Sequence, residues 1–342
     1  LADLWEEDDN HEEDAMRFAL RRLAFFLGTL WACLTLNFLL PRLMPGNPAE
    51  ALIAKFHGRI SALALKPLEI AFGVNTQESL IHQYFDYLRN TAKGNLGTSL
   101  SQLPTPVSQI ISNALPWTLG LVGVTTLLAF LVGTGIGIVG AWRRGSWLDN
   151  VLPPVFVITS AIPFFWIGML LIVAFSLHGP HLPSNGTFDT TMIPAFNWPF
   201  ILNLLQHALL PAAAILITSI GLWILTMRNN MVTVLSEDYI KMARAKGLPG
   251  RRIMFDYAAR NAMLPSLSGL AMSLGFVLGG SVLVEYVFNY PGLGFWLVQA
   301  VGSEDYPLMQ ALFLLITLAV LLAILLTDVL NALLDPRTRT AG

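Results

Sequence analysis

Gly135, Gly137 and Gly140 keep the spacing of a dinucleotide-binding fingerprint. That motif cradles a pyrophosphate on backbone amides between a strand and a helix. Here the glycines lie in a charge-free apolar run, 117–141, with no strand signal ahead of them. They suit a different purpose. Gly133 and Gly137 form a small-xxx-small pair of the kind that lets membrane helices approach closely, and Gly275 and Gly279 repeat it. The chain contains no Gly-Lys dipeptide, which excludes a phosphate-binding P-loop and assigns any ATP hydrolysis to another chain. His178 and His181 stand close together, but no cysteine or carboxylate cluster joins them, so they read as solvated loop residues rather than metal ligands. No Ser-His-Asp order, zincin motif or pair of intramembrane carboxylates points to an enzyme. Asp328 is the main carboxylate inside an apolar run, a functional candidate by default. Its place within about two turns of the run's end favours a structural bond, to Asn331 or a neighbouring helix's backbone. Glu285, at the end of another run, is placed to meet substrate, a docked protein or water.

The elements that must hold these residues are membrane helices. Of the 342 residues, 54% are hydrophobic and 12% charged, whereas a soluble domain carries roughly 25% charge. The net charge of −2 gives no basic field for nucleic acid. Crossing the hydrocarbon takes about 20 apolar residues, and six runs qualify: 18–40, 117–141, 151–176, 207–227, 266–288 and 309–334. An all-α integral membrane fold of six transmembrane helices follows, since a backbone at that depth must satisfy its own hydrogen bonds. Pro153, Pro154 and Pro163 predict kinks in the third run. Cys33 is the sole cysteine, so no disulfide forms within the chain.

Lys and Arg fix the expected orientation. They occur in 142–150, 228–265 and the tail, and are absent from 177–206 and 289–308. Both termini are therefore expected in the cytoplasm. The long region 43–116 is expected outside, with Pro45, Gly46 and Pro48 marking a turn, an amphipathic helix over 76–90 on the outer surface, and Gly94, Gly97, Pro104 and Pro106 breaking the chain. Residues 1–15 read as a solvated acidic extension rather than a cleaved signal peptide. The expected organisation is that extension, then 16–116 as first helix plus external region, then 117–342 as a core of five transmembrane helices with a cytoplasmic loop at 228–265.

That loop holds the most informative stretch, SEDYIKMARAKGLPGRRIMFDYAARNAMLP at 236–265. Ser236 is a plausible N-cap, followed by Glu237 and Asp238 at the positive end of a short helix. Ile240, Ala243 and Gly247 fall on one small apolar face, with Lys241, Arg244 and Lys246 around it, and Gly247 and Pro249 end the helix. Such a helix suits a groove on a partner protein. Its composition equally suits a basic loop on anionic lipid.

DYIKMARAKGL with ARNAMLP closely resembles the "EAA" loop of ABC importer permeases of the dipeptide/oligopeptide/nickel group. LMPGNPAE at 43–50, GNLGTSL at 94–100, ALPWTL at 114–119, RRGSWLDN at 143–150, EYVFNYPGLG at 285–294 and LLDPRTR at 333–339 resemble that group's landmarks, in its usual order. Lys241, Met242 and Ala243 stand where the general signature has Glu-Ala-Ala, and the insert 56–79 is individual to this chain. The resemblance covers nearly the whole chain from Met16 and looks like the first of the two permeases of such systems. It implies a type I importer fold in the prokaryotic inner membrane, half of a translocation path for peptides, with nickel or oligosaccharides as the family's other cargoes. The implied partners are a second homologous permease, two cytoplasmic ATPases that bind ATP and Mg, and an external solute-binding protein. No cofactor is expected on this chain. The resemblance makes 238–248 a coupling helix, with Asp238, Tyr239, Ala243, Arg244, Ala245, Lys246, Gly247, Leu248 and Arg251 toward the ATPase, Ala243, Ala245 and Gly247 being seated in its groove and Arg251 and Arg252 pairing with acids on its rim. Ser273, Ser281 and Glu285 are the expected path-lining residues. A self-sufficient secondary transporter or channel would instead need inverted repeats and midplane ionisable residues, and neither stands out.

Overall fold

The structure, a computed structural model, describes residues 2–43 and 79–334. The Pro45–Pro48 turn, the insert 56–79 as far as residue 78, and the tail beyond 334 lie outside the described residues. The described residues are helical apart from connections and one isolated bridge, Thr98 to Pro106. In chain order the helices are α1 (Ala2–Leu43), α2 (Leu80–Ala92), α3 (Val107–Trp142), α4 (Trp147–Ala161), α5 (Phe164–Leu177), α6 (Trp198–Val234), α7 (Asp238–Ala245), α8 (250–262), α9 (Leu264–Val287), α10 (Leu293–Gly302) and α11 (Tyr306–Leu334).

Five of these are long and apolar enough to cross a membrane, and the pair α4 and α5, bent by 94°, makes a sixth if counted as one span. The six expected runs are thus all helical. The bend sits where the third run's prolines predict irregularity. Ile162, forced out of the helical region by the proline after it, is extended at φ −87°, ψ 127°. Pro163 has no N–H to continue the ladder and instead stands at the start of α5. Residues 2–15, the acidic extension, are helical and run on into the rest of α1. At about 1.5 Å per residue the whole of α1 is roughly 63 Å long, far beyond the ~30 Å hydrocarbon core.

The chain divides into two compact units, Leu1–Asn113 with Trp296–Gly342, and Ala114–Phe295. The last span therefore groups with the first rather than with the other four.

In the first unit, α1 packs on α11. The Asp328 carboxylate accepts from Arg22 of α1, a side-chain partner on a neighbouring helix. The Arg22 side chain is 42% exposed, so this pair is worth about 1 kcal/mol or less. Asp328→Asn is accordingly expected to lower the thermal midpoint of the purified protein only slightly, and a large drop would show that the pair carries more than an exposed ion pair does. At the far end of α1, Asn37 donates to the Gln310 carbonyl at 2.7 Å. Asp305 is fully buried ahead of α11. It accepts from the Ser101 amide at 2.9 Å, the Ser101 hydroxyl at 2.8 Å, the Ser99 hydroxyl and the Leu308 amide at 3.2 Å. One carboxylate thus caps a helix and ties down the GTSLS segment.

In the second unit, α3 lies against α6 with almost no space between backbones. A Cβ on Gly133 would stand 2.9 Å from the Ile220 carbonyl oxygen, and one on Gly137 2.8 Å from that of Ile224. The small-xxx-small reading of this pair is met, with the fourth span as partner. Phe130 closes the same interface edge-on to Trp223 at 5.1 Å.

Candidate functional site

α7 sits at the end of the second unit that carries the basic residues. Its first turn holds Asp238, whose carboxylate accepts from Lys241 at 2.8 Å. The ammonium beside it holds that carboxyl below its usual range. Ser236 is not the cap. Its hydroxyl donates back to the Thr233 carbonyl at 2.6 Å, closing the end of α6, and Glu237 takes the cap position with extended backbone. The helix stops after two turns in a Schellman arrangement: Gly247 donates to Arg244 at 2.9 Å and Leu248 to Ala243 at 3.3 Å. Gly247 reaches that geometry at φ +70°, and open space surrounds the position where a Cβ would be.

The apolar face of α7 turns inward. Ile240 is fully buried and Ala243 is 4% exposed. They belong to one cluster with Ile138 and Ala141 of α3, Met227 and Met231 of α6, and Ile253 and Ala258 of α8. Ala243 therefore packs in the chain's own core and does not face a partner, which corrects the sequence expectation. What the structure asks of Gly247 is its left-handed backbone at the turn. The outward face is Tyr239, Lys241, Met242, Ala245 and Lys246, with Met242 58% exposed. Tyr239 is pinned by Asn261, which donates to its hydroxyl at 3.1 Å. Arg244 reaches over the Trp142 ring at 5.9 Å, Leu248 is half-buried, and Arg251 is exposed. Arg252 lies 3.8 Å from Asp256 on its own helix, an exposed pair of little strength.

A second brace holds the same end. Arg228, at the close of α6, donates to Asp149 of α4 at 2.6 Å, and the same carboxylate accepts from the Gly145 amide at 3.0 Å. This clasp explains RRGSWLDN. Asp149 carries a readable sequence signal, an acid in a first helical turn beside a basic loop. Asp305 was likewise legible, as an Asp before Tyr-Pro and a long apolar run.

The path-lining expectation fares differently residue by residue. Glu285 is fully buried and Ser281 is 5% exposed. Glu285 accepts from the Gly294 amide at 2.7 Å, the Phe295 amide at 3.3 Å and the Ser281 hydroxyl at 3.3 Å. Thr118 of α3 accepts from the adjacent Leu293 amide at 2.8 Å. Glu285 and Ser281 thus fasten the EYVFNYPGLG turn and cap the start of α10 rather than line a surface. Ser273 is half-buried on α9. Glu285→Ala would take its acceptor from the buried Gly294 amide, at about 1–3 kcal/mol. It is expected to lower the thermal midpoint of the purified protein sharply, whereas Glu285→Gln, which keeps an acceptor, loses less.

Among the described residues no group of three or more His, Cys, Asp or Glu could hold a metal ion. Nothing at the α7 end is arranged as nucleophile and base. What the arrangement can do is mechanical: a short helix with an exposed face is rigidly seated on the ends of two long spans.

Residues 133–340 match the family model described as binding-protein-dependent transport system inner membrane component. Over 340 residues the chain is 33% identical to the di/tripeptide transport system permease protein DppB of Pseudomonas aeruginosa, covering 95% of this chain and 99% of that protein. It is 32% identical over 320 residues to the oligopeptide transport system permease protein AppB of Bacillus subtilis, covering 94% and 98%. It is 33% identical over 324 residues to the glutathione transport system permease protein GsiC of Escherichia coli K12, covering 95% and 99%.

Proposed function

This chain belongs to the family of binding-protein-dependent transport system inner membrane components, and from that membership we propose a peptide importer in which α7 is the coupling element. The chain is a permease subunit of an ABC transporter and not a catalytic subunit. The cargo reading is short peptides, supported by the names of the di/tripeptide, oligopeptide and glutathione permeases to which it is similar. Both termini face the cytoplasm, which places α7 and the basic loops there and 43–116 outside. The partners are a second homologous permease, two ATPase subunits that bind ATP and Mg, and an external solute-binding protein that selects the cargo.

The observation that carries this reading is the two-sided character of α7. Its inner face is locked by Ile240 and Ala243 into a core shared with α3, α6 and α8, and its outer face offers Tyr239, Met242, Ala245 and Lys246. Burying Ile240 alone contributes about 1.5–3 kcal/mol, so α7 moves with the spans rather than sliding over them. ATP favours the closed ATPase dimer. That differential affinity draws the coupling helices together, and the packed core passes the motion to α3 and α6.

Gly247→Trp tests the reading. The substitution adds bulk beside the outer face and strains a left-handed position by about 1–2 kcal/mol, while membrane insertion needs neither. Reconstituted with its partners, the variant is expected to lose peptide uptake but keep ATP hydrolysis and assembly. Normal uptake would remove α7 from the coupling role. Uptake of nickel but not of labelled di- and tripeptides by the unmodified complex would overturn the cargo.

A further inference from the structure

The helix outside the permease core has three faces. At 100° per residue, Tyr84, Tyr87 and Thr91 point one way, Ile81, Phe85, Leu88 and Ala92 a second, and His82, Asp86, Arg89 and Lys93 a third. The first face is bound to α1. Tyr84 shares a hydrogen bond with Thr35 at 2.7 Å, and Asn37 donates to the Tyr87 hydroxyl at 3.2 Å. Both rings pack on Phe38, at 5.2 and 5.7 Å. Arg42 stacks on Phe38 at 3.6 Å and donates to Gln83. The third face is polar and exposed, with His82 and Asp86 3.6 Å apart. The second face is apolar and uncovered: Ile81 is 71% exposed and Phe85 62%.

We infer that α2 is a membrane-surface anchor whose Ile81–Phe85 face enters the lipid at the bilayer interface. Two observations choose lipid over water or protein. The contacts to α1 fall at Thr35–Arg42, the end of the Leu20–Leu40 span, which sets α2 at the level where hydrocarbon gives way to headgroups. At the same level α1 itself shows an apolar surface, with Leu36 58%, Leu40 51% and Leu43 77% exposed. In a membrane-spanning helix that surface already faces lipid, so the bared face of α2 adjoins an interface that exists. Tyr84 and Tyr87 stand where aromatic belts form, and an amphipathic helix at this depth buries its apolar face about 5–10 Å past the headgroup boundary. His82, Asp86 and Arg89 remain among headgroups and water. The anchor fixes the tilt of the first span and of the external segment that follows, and it holds whether or not the cargo is a peptide.

The test uses the assembled transporter in lipid nanodiscs, with Cys33→Ser in this chain and partner subunits lacking cysteine. Nitroxides are placed singly at Ile81→Cys, Phe85→Cys, His82→Cys and Asp86→Cys, and their collisions with oxygen and with a water-soluble nickel chelate are measured. The expected result is a split: positions 81 and 85 favour oxygen several-fold over 82 and 86. If all four positions favour the nickel chelate, the face is in water and the anchor is overturned. If 81 and 85 are shielded from both reagents, a protein covers the face and the anchor is equally overturned. Should a label disturb the helix, Phe85→Trp in bilayers of brominated lipid replaces it, read as the difference from the unmodified protein, whose nine tryptophans set the background. A quenched added signal supports the anchor and an unquenched one refutes it.

Discussion

Met242→Asp in the assembled transporter is expected to abolish peptide uptake while leaving the permease folded and inserted. Met242 is 58% exposed on the outer face of α7 and absent from the core beneath it. A carboxylate there disturbs nothing within the chain. Against a partner groove it is different, because an apolar anchor is lost and a charge must be desolvated. Interface anchors of this kind are worth about 2–4 kcal/mol, roughly 30- to 1,000-fold in association. Titration of ATPase subunits onto nanodisc-held permease reads that loss directly. Ala243→Asp is the instructive neighbour. One residue along, the same change puts a charge into the Met231–Ile253 cluster and is expected to destabilise the protein itself. Adjacent substitutions thus separate docking from folding.

Gly137→Leu is expected to give a protein that fails to fold into a stable permease. A Cβ there would meet the Ile224 carbonyl at 2.8 Å, the Met227 Cβ at 2.9 Å and the Arg228 amide at 3.1 Å. Two of those atoms are backbone, which no rotamer change moves aside. α3 and α6 would have to part along the interface that also carries Phe130 and Trp223, at a cost of about 3 kcal/mol or more. Loss of the monodisperse peak in size-exclusion chromatography, or a thermal midpoint lowered by many degrees, checks it. Gly135→Leu is the control. Gly135 has open space around it and is expected to accept the change. A nucleotide-binding fingerprint would make the opposite demand, since it needs all three glycines.

The spans were legible in the sequence because hydrocarbon imposes a length and forbids unpaired backbone, and both constraints act locally. The break at Ile162–Pro163 was legible for the same reason, being a consequence of one residue on its neighbour. What the sequence left undecided is direction. An apolar stripe of Ile240 and Ala243 reads alike whether it meets a partner or the chain's own core, and only the positions of α3, α6 and α8 distinguish the two. Glu285 failed in the same way. A carboxylate at a span's end looks available until the Gly294 and Phe295 amides, brought in by a turn, are seen to close on it. Ser236 had the right type for a cap. The end of α6 lies so close that the Thr233 carbonyl claims its hydroxyl first.

A photocrosslinking residue at Met242, irradiated in the assembled transporter, tests the central claim most directly. Covalent capture of the ATP-hydrolysing subunit is the expected result. With that subunit present in the complex, capture of lipid alone, or no adduct at all, would contradict it.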